Sequence, residues 1–177
     1  MNSVAHITET SDKNELLTAI DDVVSELQGL MSSLNENEIN TIPYKDSWTA
    51  GQLFRHVTKS TNGMSKAMDM KTKPAGRDPG EKIPMLRNAF LDFSKKMKSP
   101  DFIIPEEGPY EKLSTIEKLN KSFGHLKESS SHANLADMVE NLPLGAVTKL
   151  EILHFVLYHT QRHLHQMKKI VAALENK

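Results

Sequence analysis

The sequence predicts an all-α protein, a bundle of amphipathic helices. Three observations carry that prediction: five segments with helical hydrophobic periodicity, almost no strand signals, and proline and glycine clusters confined to the stretches between segments. With 177 residues, 25% charged and 38% hydrophobic, the chain suits one ordinary domain with a sizeable core. That domain is expected over residues 12–177, preceded by a polar tail over residues 1–11.

The first helix runs from about Asp12 to Leu34. Leu16, Ile20, Val23, Leu27, Leu30 and Leu34 recur at steps of three and four and so share one side. Asn35-Glu36-Asn37-Glu38 stops it, and Pro43 lies in the connection. The second begins near Trp48, where Thr49 and Gln52 match a capping box, and Leu53, Val57, Met64 and Met68 mark its apolar face. Pro74, Gly76, Pro79 and Gly80 then make a long loop. The third, about Glu81 to Lys98, carries Leu86, Phe90, Phe93 and Met97, with Pro84 tolerated in its first turn. Ser99-Pro100 ends it, and Pro105, Gly108 and Pro109 keep the next stretch irregular. The fourth, about Glu111 to Ser129, carries Leu113, Ile116, Leu119, Phe123 and Leu126, with Gly124 as a weak interior position. The fifth starts at the capping box of Thr148 and Glu151 and runs to about Leu174 without Gly or Pro. The long loops after the second and third helices point to crossover connections rather than a simple up-down meander.

Composition narrows the function. Lys plus Arg is 22 and Asp plus Glu is 23, a formal charge of -1, so the basic excess of a nucleic-acid binder is missing. No cysteine is present, which excludes disulfides, thiolate ligands, iron–sulfur clusters and a cysteine nucleophile. The polar N-terminus does not resemble a signal peptide, and no apolar run is long enough to span a bilayer, so a cytoplasmic location is the expectation.

Histidine is the remaining metal ligand besides carboxylate, and there are eight. Four lie on the fifth helix, where His159 and His163 are one turn apart and leave the same face. One such pair is close to chance expectation, so its direction matters more than its spacing. Taking Leu150 as zero and advancing roughly 100° per residue, His159 and His163 fall at roughly 180° and 220°, in the apolar sector. His154 and His165 fall at roughly 40° and 60°, among Glu151, Gln161, Arg162, Lys168 and Lys169, and are expected to face water. Core-facing imidazoles need partners. A cation supplies one kind; backbone carbonyls, a buried carboxylate or a wet crevice supply others. His56, on the flank of the second helix's apolar stripe, could complete a three-histidine set with an open position, the pattern of a catalytic site. His6, His125 and His132 read as surface residues. The zincin motif is excluded because Thr160, not Glu, follows His159, and neither a P-loop, a dinucleotide fingerprint nor a nucleophile elbow occurs.

Ser47-Trp48-Thr49-Ala50-Gly51-Gln52-Leu53-Phe54-Arg55-His56, together with His159-Thr160-Gln161-Arg162-His163-Leu164-His165-Gln166, resembles the DinB/YfiT-like superfamily over nearly the whole chain. The resemblance implies a four-helix bundle of up-down-down-up connectivity, with an additional helix or long crossover loops. It further implies a divalent metal, nickel or zinc, held by His56, His159 and His163. Where many members follow the last ligand with Arg-Gly-Gln, this chain has Leu164-His165-Gln166 and keeps only the glutamine. Relatives of this kind include thiol-S-transferases using bacillithiol, mycothiol-dependent isomerases and proposed metal-dependent hydrolases.

Two functions of different class follow. One is a metal-dependent enzyme on a small molecule, a hydrolase or a low-molecular-weight thiol-S-transferase, with no general base evident beside the ligands. The other is a non-catalytic metal-binding or stress-related bundle protein. It predicts a fourth protein ligand, or a mouth filled by Trp48, Tyr158 or a methionine. No nucleic-acid or membrane partner is expected, and an apolar strip on the first or third helix would support a homodimer.

Overall fold

The computed structural model describes residues 12–176; the expected tail over 1–11, His6 and the last residue of the expected domain lie outside them. Six α-helices and a three-stranded sheet follow in the order α1 (Lys13–Ser33), α2 (Glu36–Ile39), α3 (Ala50–Met68), β1 (Lys73–Pro74), α4 (Ile83–Leu91), α5 (Lys112–Ser131), β2 (Asp137–Leu142), β3 (Gly145–Thr148) and α6 (Lys149–Glu175).

Caps place most of the helix starts. Asp12 accepts from the Glu15 amide at the head of α1, and Glu111 accepts from Leu113 and Ser114 at the head of α5. Thr49 and Gln52 close a reciprocal capping box on α3, as Thr148 and Glu151 do on α6. Asn35 and Glu38 form a third such box, so the polar run expected only to stop α1 also starts the single turn of α2.

Side-chain contacts fix the direction of each long helix. Lys13 at the start of α1 donates to the Ser131 and Ala133 carbonyls at the end of α5, and Lys112 at the start of α5 donates to Leu34 beyond the end of α1. The two helices are therefore antiparallel. The ring of Tyr110, just ahead of α5, lies against the first turn of α3, where a Cβ on Gly51 would come within 2.7 Å of it. At the far ends, Ser129 donates to Asp69. Thus α3 and α5 run parallel, which requires the long crossover over residues 69–111. Helix α6 packs against α1 and α3, with Lys168 paired to Glu26. Since β2 pairs with β1 just past the end of α3, α6 starts where α3 ends. The result is an up-down-down-up bundle of α1, α3, α5 and α6, with α4 laid on the outside of α6.

Three expectations need correction. First, a small antiparallel sheet, ordered β1-β2-β3, exists where strand signals were almost absent. Its strands are two, six and four residues long, too short to print a strong alternation. Secondly, the third predicted helix ends at Leu91 rather than near Lys98. The guanidinium of Arg162 on α6 takes the Phe90, Asp92 and Lys95 carbonyls, and Asp92 caps Ser94, so the chain turns away. Phe93 and Met97, expected on an apolar core face, are instead 40% and 45% exposed. Thirdly, His154 and Glu151 do not face water but are fully buried. From Lys149 to Thr160 every residue of α6 is buried, because α1, α3, α4 and the hairpin enclose that half of the helix from all sides.

Glu151 tolerates that burial because all its needs are met. It accepts two bonds of 2.7 Å from Arg77, one of 2.8 Å from the Lys82 amide and one of 2.9 Å from the Thr148 amide. Burial alone would raise its carboxyl pKa, but Arg77 and the two amides outweigh it and hold the group below the ordinary value.

Candidate metal centre

His56 sits two turns into α3, and His159 and His163 lie on the facing side of α6. All three are buried, between 1% and 7% exposed. His56 Nε2 lies 3.1 Å from His159 Nε2, and His163 Nε2 lies 3.2 Å from the same atom. The three donor atoms fall within 4.8 Å of one another. Thus the histidines that spacing and apolar aim selected are brought to one point. His125 and His132 are exposed, as expected; His165 is half-buried at the edge of the cleft, stacked on Phe93 at 4.2 Å.

The outer nitrogens determine the chemistry of the inner ones. His56 Nδ1 stands 3.0 Å from the Ile103 carbonyl, and His163 Nδ1 stands 3.1 Å from Gln166 Oε1. A carbonyl oxygen only accepts, so both Nδ1 atoms carry the hydrogen and both Nε2 atoms present bare lone pairs. A proton on His159 could point at only one of these neighbours. The cluster is therefore short of positive charge at its centre, a deficit that a cation removes. Two imidazoles bound at about 2.1 Å to one tetrahedral ion stand roughly 3.4 Å apart, close to the spacing seen here. The donor set fits a divalent metal, and its outer partners are those that orient metal-binding imidazoles elsewhere.

Electrostatics keeps the rings neutral. Burial lowers His56, with Lys59 adding to the effect and the Ile103 carbonyl opposing it. Burial, then the neighbouring imidazoles and Arg162, pushes His159 well below its ordinary value. His163 is lowered to about 3, chiefly by burial. Neutral imidazoles are the form that can bind a metal.

Around the cluster lies an open cleft of about 870 Å³. Phe90 and Phe155 meet edge to face at 5.1 Å and together cover one side of the His159 ring, with centroids 6.0 and 5.3 Å from it, and Trp48 lies 4.9 Å from His56. Among the described residues no fourth His, Asp or Glu joins the triad, and Asp46 is the one acidic residue in the lining. Tyr158 does not fill the mouth; it is buried beside His154. Trp48 forms a wall rather than a plug. Sequence reasoning missed the Ile103 carbonyl, which no residue type could reveal. It also gave no role to Gln166, although a position three residues beyond His163 on a helix is where an orienting acceptor would be sought.

Comparison with known proteins agrees with this architecture. A protein of Bacillus subtilis (strain 168) described as uncharacterised, YuaE, is 25% identical over 152 residues, covering 82% of this chain and 90% of its own length. No solved structure matches the chain significantly. The sequence profile of the DinB superfamily matches residues 19–167, spanning both the α3 and the α6 histidines. The chain belongs to the DinB superfamily.

Proposed function

We propose that the protein is a metal-dependent enzyme acting on a small molecule, a hydrolase or a low-molecular-weight thiol-S-transferase, with His56, His159 and His163 as ligands. The single observation that carries this reading is the convergence of three neutral imidazoles, two with their tautomer fixed from outside, beneath an open cleft. An all-imidazole set without thiolate suits zinc, nickel, iron or copper, and the resemblance to the superfamily's metal-binding members favours nickel or zinc among them. When bound, such an ion would lower the pKa of a water or thiol, or polarise a carbonyl.

The remaining residues define what the chain itself contributes. Ile103 and Gln166 hold two rings in the tautomer that offers Nε2. Phe90 and Phe155 shield His159 and give the floor of the cleft an apolar wall. The lining carries no carboxylate other than Asp46, and its one imidazole outside the triad, His165, is stacked on Phe93, so no side chain stands out as a general base at the triad. That favours a substrate, such as a thiol, that is activated at the metal over one needing a separate protein base.

Protein purified without a histidine tag is expected to carry a single divalent ion per chain by elemental analysis, and His159→Ala to lose it. No metal in the parent, or full retention in the variant, would overturn the reading. Metal bound without turnover of thiol or ester substrates would point to the non-catalytic alternative.

A further inference from the structure

We propose that the cleft above the triad is built for a small amphiphilic anion, a carboxylate or phosphate head on an apolar body. The proposal rests on the preceding reading in treating this cleft as the substrate site, and it follows from the distribution of charge. The whole chain balances 22 basic against 23 acidic residues. The cleft does not: eight Lys or Arg line it against Asp46 alone.

Half of those cations are engaged. Arg55 and Lys59 share the single carboxylate of Glu106 at 2.8 and 3.0 Å, which leaves that wall one positive charge in excess. Arg162 is spent on backbone carbonyls, and Lys95 pairs with Asp92 at 3.1 Å. The other four, Lys66, Lys96, Lys98 and Lys169, make no ion pair among the described residues. Lys66 lies ten residues beyond His56 along α3, roughly 15 Å from it. The other three belong to the two segments that the Phe93–His165 stack joins. Lys169 is one turn past His165, whose ring stacks on Phe93, and Lys96 and Lys98 follow Phe93 on the segment that overhangs the cleft.

An anionic head beside these lysines would place an attached apolar body against Trp48, Phe90 and Phe155, toward the histidines. A cleft of about 870 Å³ accommodates a molecule of that size. Three neutral imidazoles also leave a divalent ion's charge uncompensated, and no protein carboxylate is placed to offset it. Both features select against cations and reward a negative ligand.

The chain's single tryptophan lines the cleft, so its fluorescence reports occupancy directly. The probes are 4-phenylbutyrate, its neutral isostere 4-phenylbutanamide, phenylbutyl phosphate and inorganic phosphate, titrated into chelator-treated and metal-loaded protein. The acid is expected to bind about tenfold tighter than the amide even without metal. That preference should shrink severalfold as salt rises from about 0.05 to 0.5 M. It should largely vanish in Lys96→Gln/Lys98→Gln/Lys169→Gln, whose substitutions are exposed and should leave the circular dichroism and melting unchanged. The ratio of butyrate to phosphate ester tells which head is preferred, and weak inorganic phosphate binding shows that the apolar body contributes. Equal affinity for acid and amide, or an undiminished preference in the folded triple variant, would overturn the proposal. Failure of the metal reading is separate, since it would leave the acid preference of the chelator-treated protein intact.

Discussion

Helix α6 buries two polar constellations about two turns apart, and they are opposites. At its first turn, Glu151 is surrounded by donors: Arg77 in two bonds and two backbone amides. Midway along, His159 meets two imidazoles that offer it only lone pairs. Burial is nearly the same in both places, so burial does not separate structure from function here. Completion does. The carboxylate network is closed by the protein itself and ties the crossover segment to the bundle. The histidine cluster is completed on its outer side, by Ile103 and Gln166, and left open toward the cleft. A buried polar group with every partner present holds the fold together, whereas one whose partners are supplied on a single side is prepared for something else.

The sharpest way to break this comparison is to remove one member from each. Glu151→Ala takes from Arg77 its buried carboxylate, leaving it the Asp78 carbonyl and an exposed Glu81 4.0 Å away, and strips the Lys82 and Thr148 amides of their acceptor. It is expected to cost about 3–5 kcal/mol in urea unfolding, whether or not metal is present. His159→Ala should cost less in chelator-treated protein, because it removes a ring that repels its neighbours. Its loss shows when metal is added. A ligand at 100 times its Kd stabilises the native state by about 2.7 kcal/mol, and that increment should appear in the parent and be absent in the variant. Melting curves with nickel or zinc and with chelator read both effects. A metal increment retained in His159→Ala would undo the contrast.

Acid separates the two sites a second way. The three imidazoles are lowered in the folded chain, so below their ordinary pKa of about 6.5 the unfolded chain takes up protons that the folded one refuses. Stability contributed by neutral histidines is therefore complete above that value and is lost as pH falls. Between pH 7 and pH 6 the loss is at most about 2 kcal/mol for three rings in metal-free protein. Glu151, whose carboxyl is lowered, contributes no slope there; its contribution is lost only as pH falls below the ordinary carboxylate range. Urea titrations at the two pH values should give a slope smaller by up to about 0.7 kcal/mol per pH unit in His163→Leu and unchanged in Glu151→Gln. An equal slope in parent and His163→Leu would show that this ring titrates normally.

The two sites were also unequally legible in the sequence, for physical reasons. Caps are local chemistry, so Thr49 with Gln52 and Thr148 with Glu151 announced the starts of α3 and α6. The shared aim of His159 and His163 is likewise local, a property of one helix. His154 and Glu151 were misplaced because a helical wheel assumes one wet face, and the first three turns of α6 have none. The end of α4 was invisible because its stop signal is Arg162 on another helix, acting through backbone carbonyls. For the same reason the sequence could name His56 as a third histidine but not the Ile103 carbonyl that sets its tautomer.

Gln166 carries the smallest and most discriminating prediction, because it acts on the triad without belonging to it. Its Oε1 accepts from His163 Nδ1 at 3.1 Å and fixes which nitrogen faces inward. Gln166→Leu keeps the volume near the ring but removes the acceptor. The ring is then free to flip or to carry its hydrogen on Nε2, and metal affinity should fall about tenfold, or about 1.4 kcal/mol. A merely structural role would show as a lower melting temperature in chelator-treated protein with unchanged affinity. Gln166→Glu separates the cases further, since a carboxylate accepts more strongly and makes the ring a better ligand. Competition with a coloured chelator should therefore rank the leucine variant weakest and the glutamate variant at or above the parent. If all three bind equally, the outer bond does not orient His163, and the half-completed network loses one of the two contacts that define it.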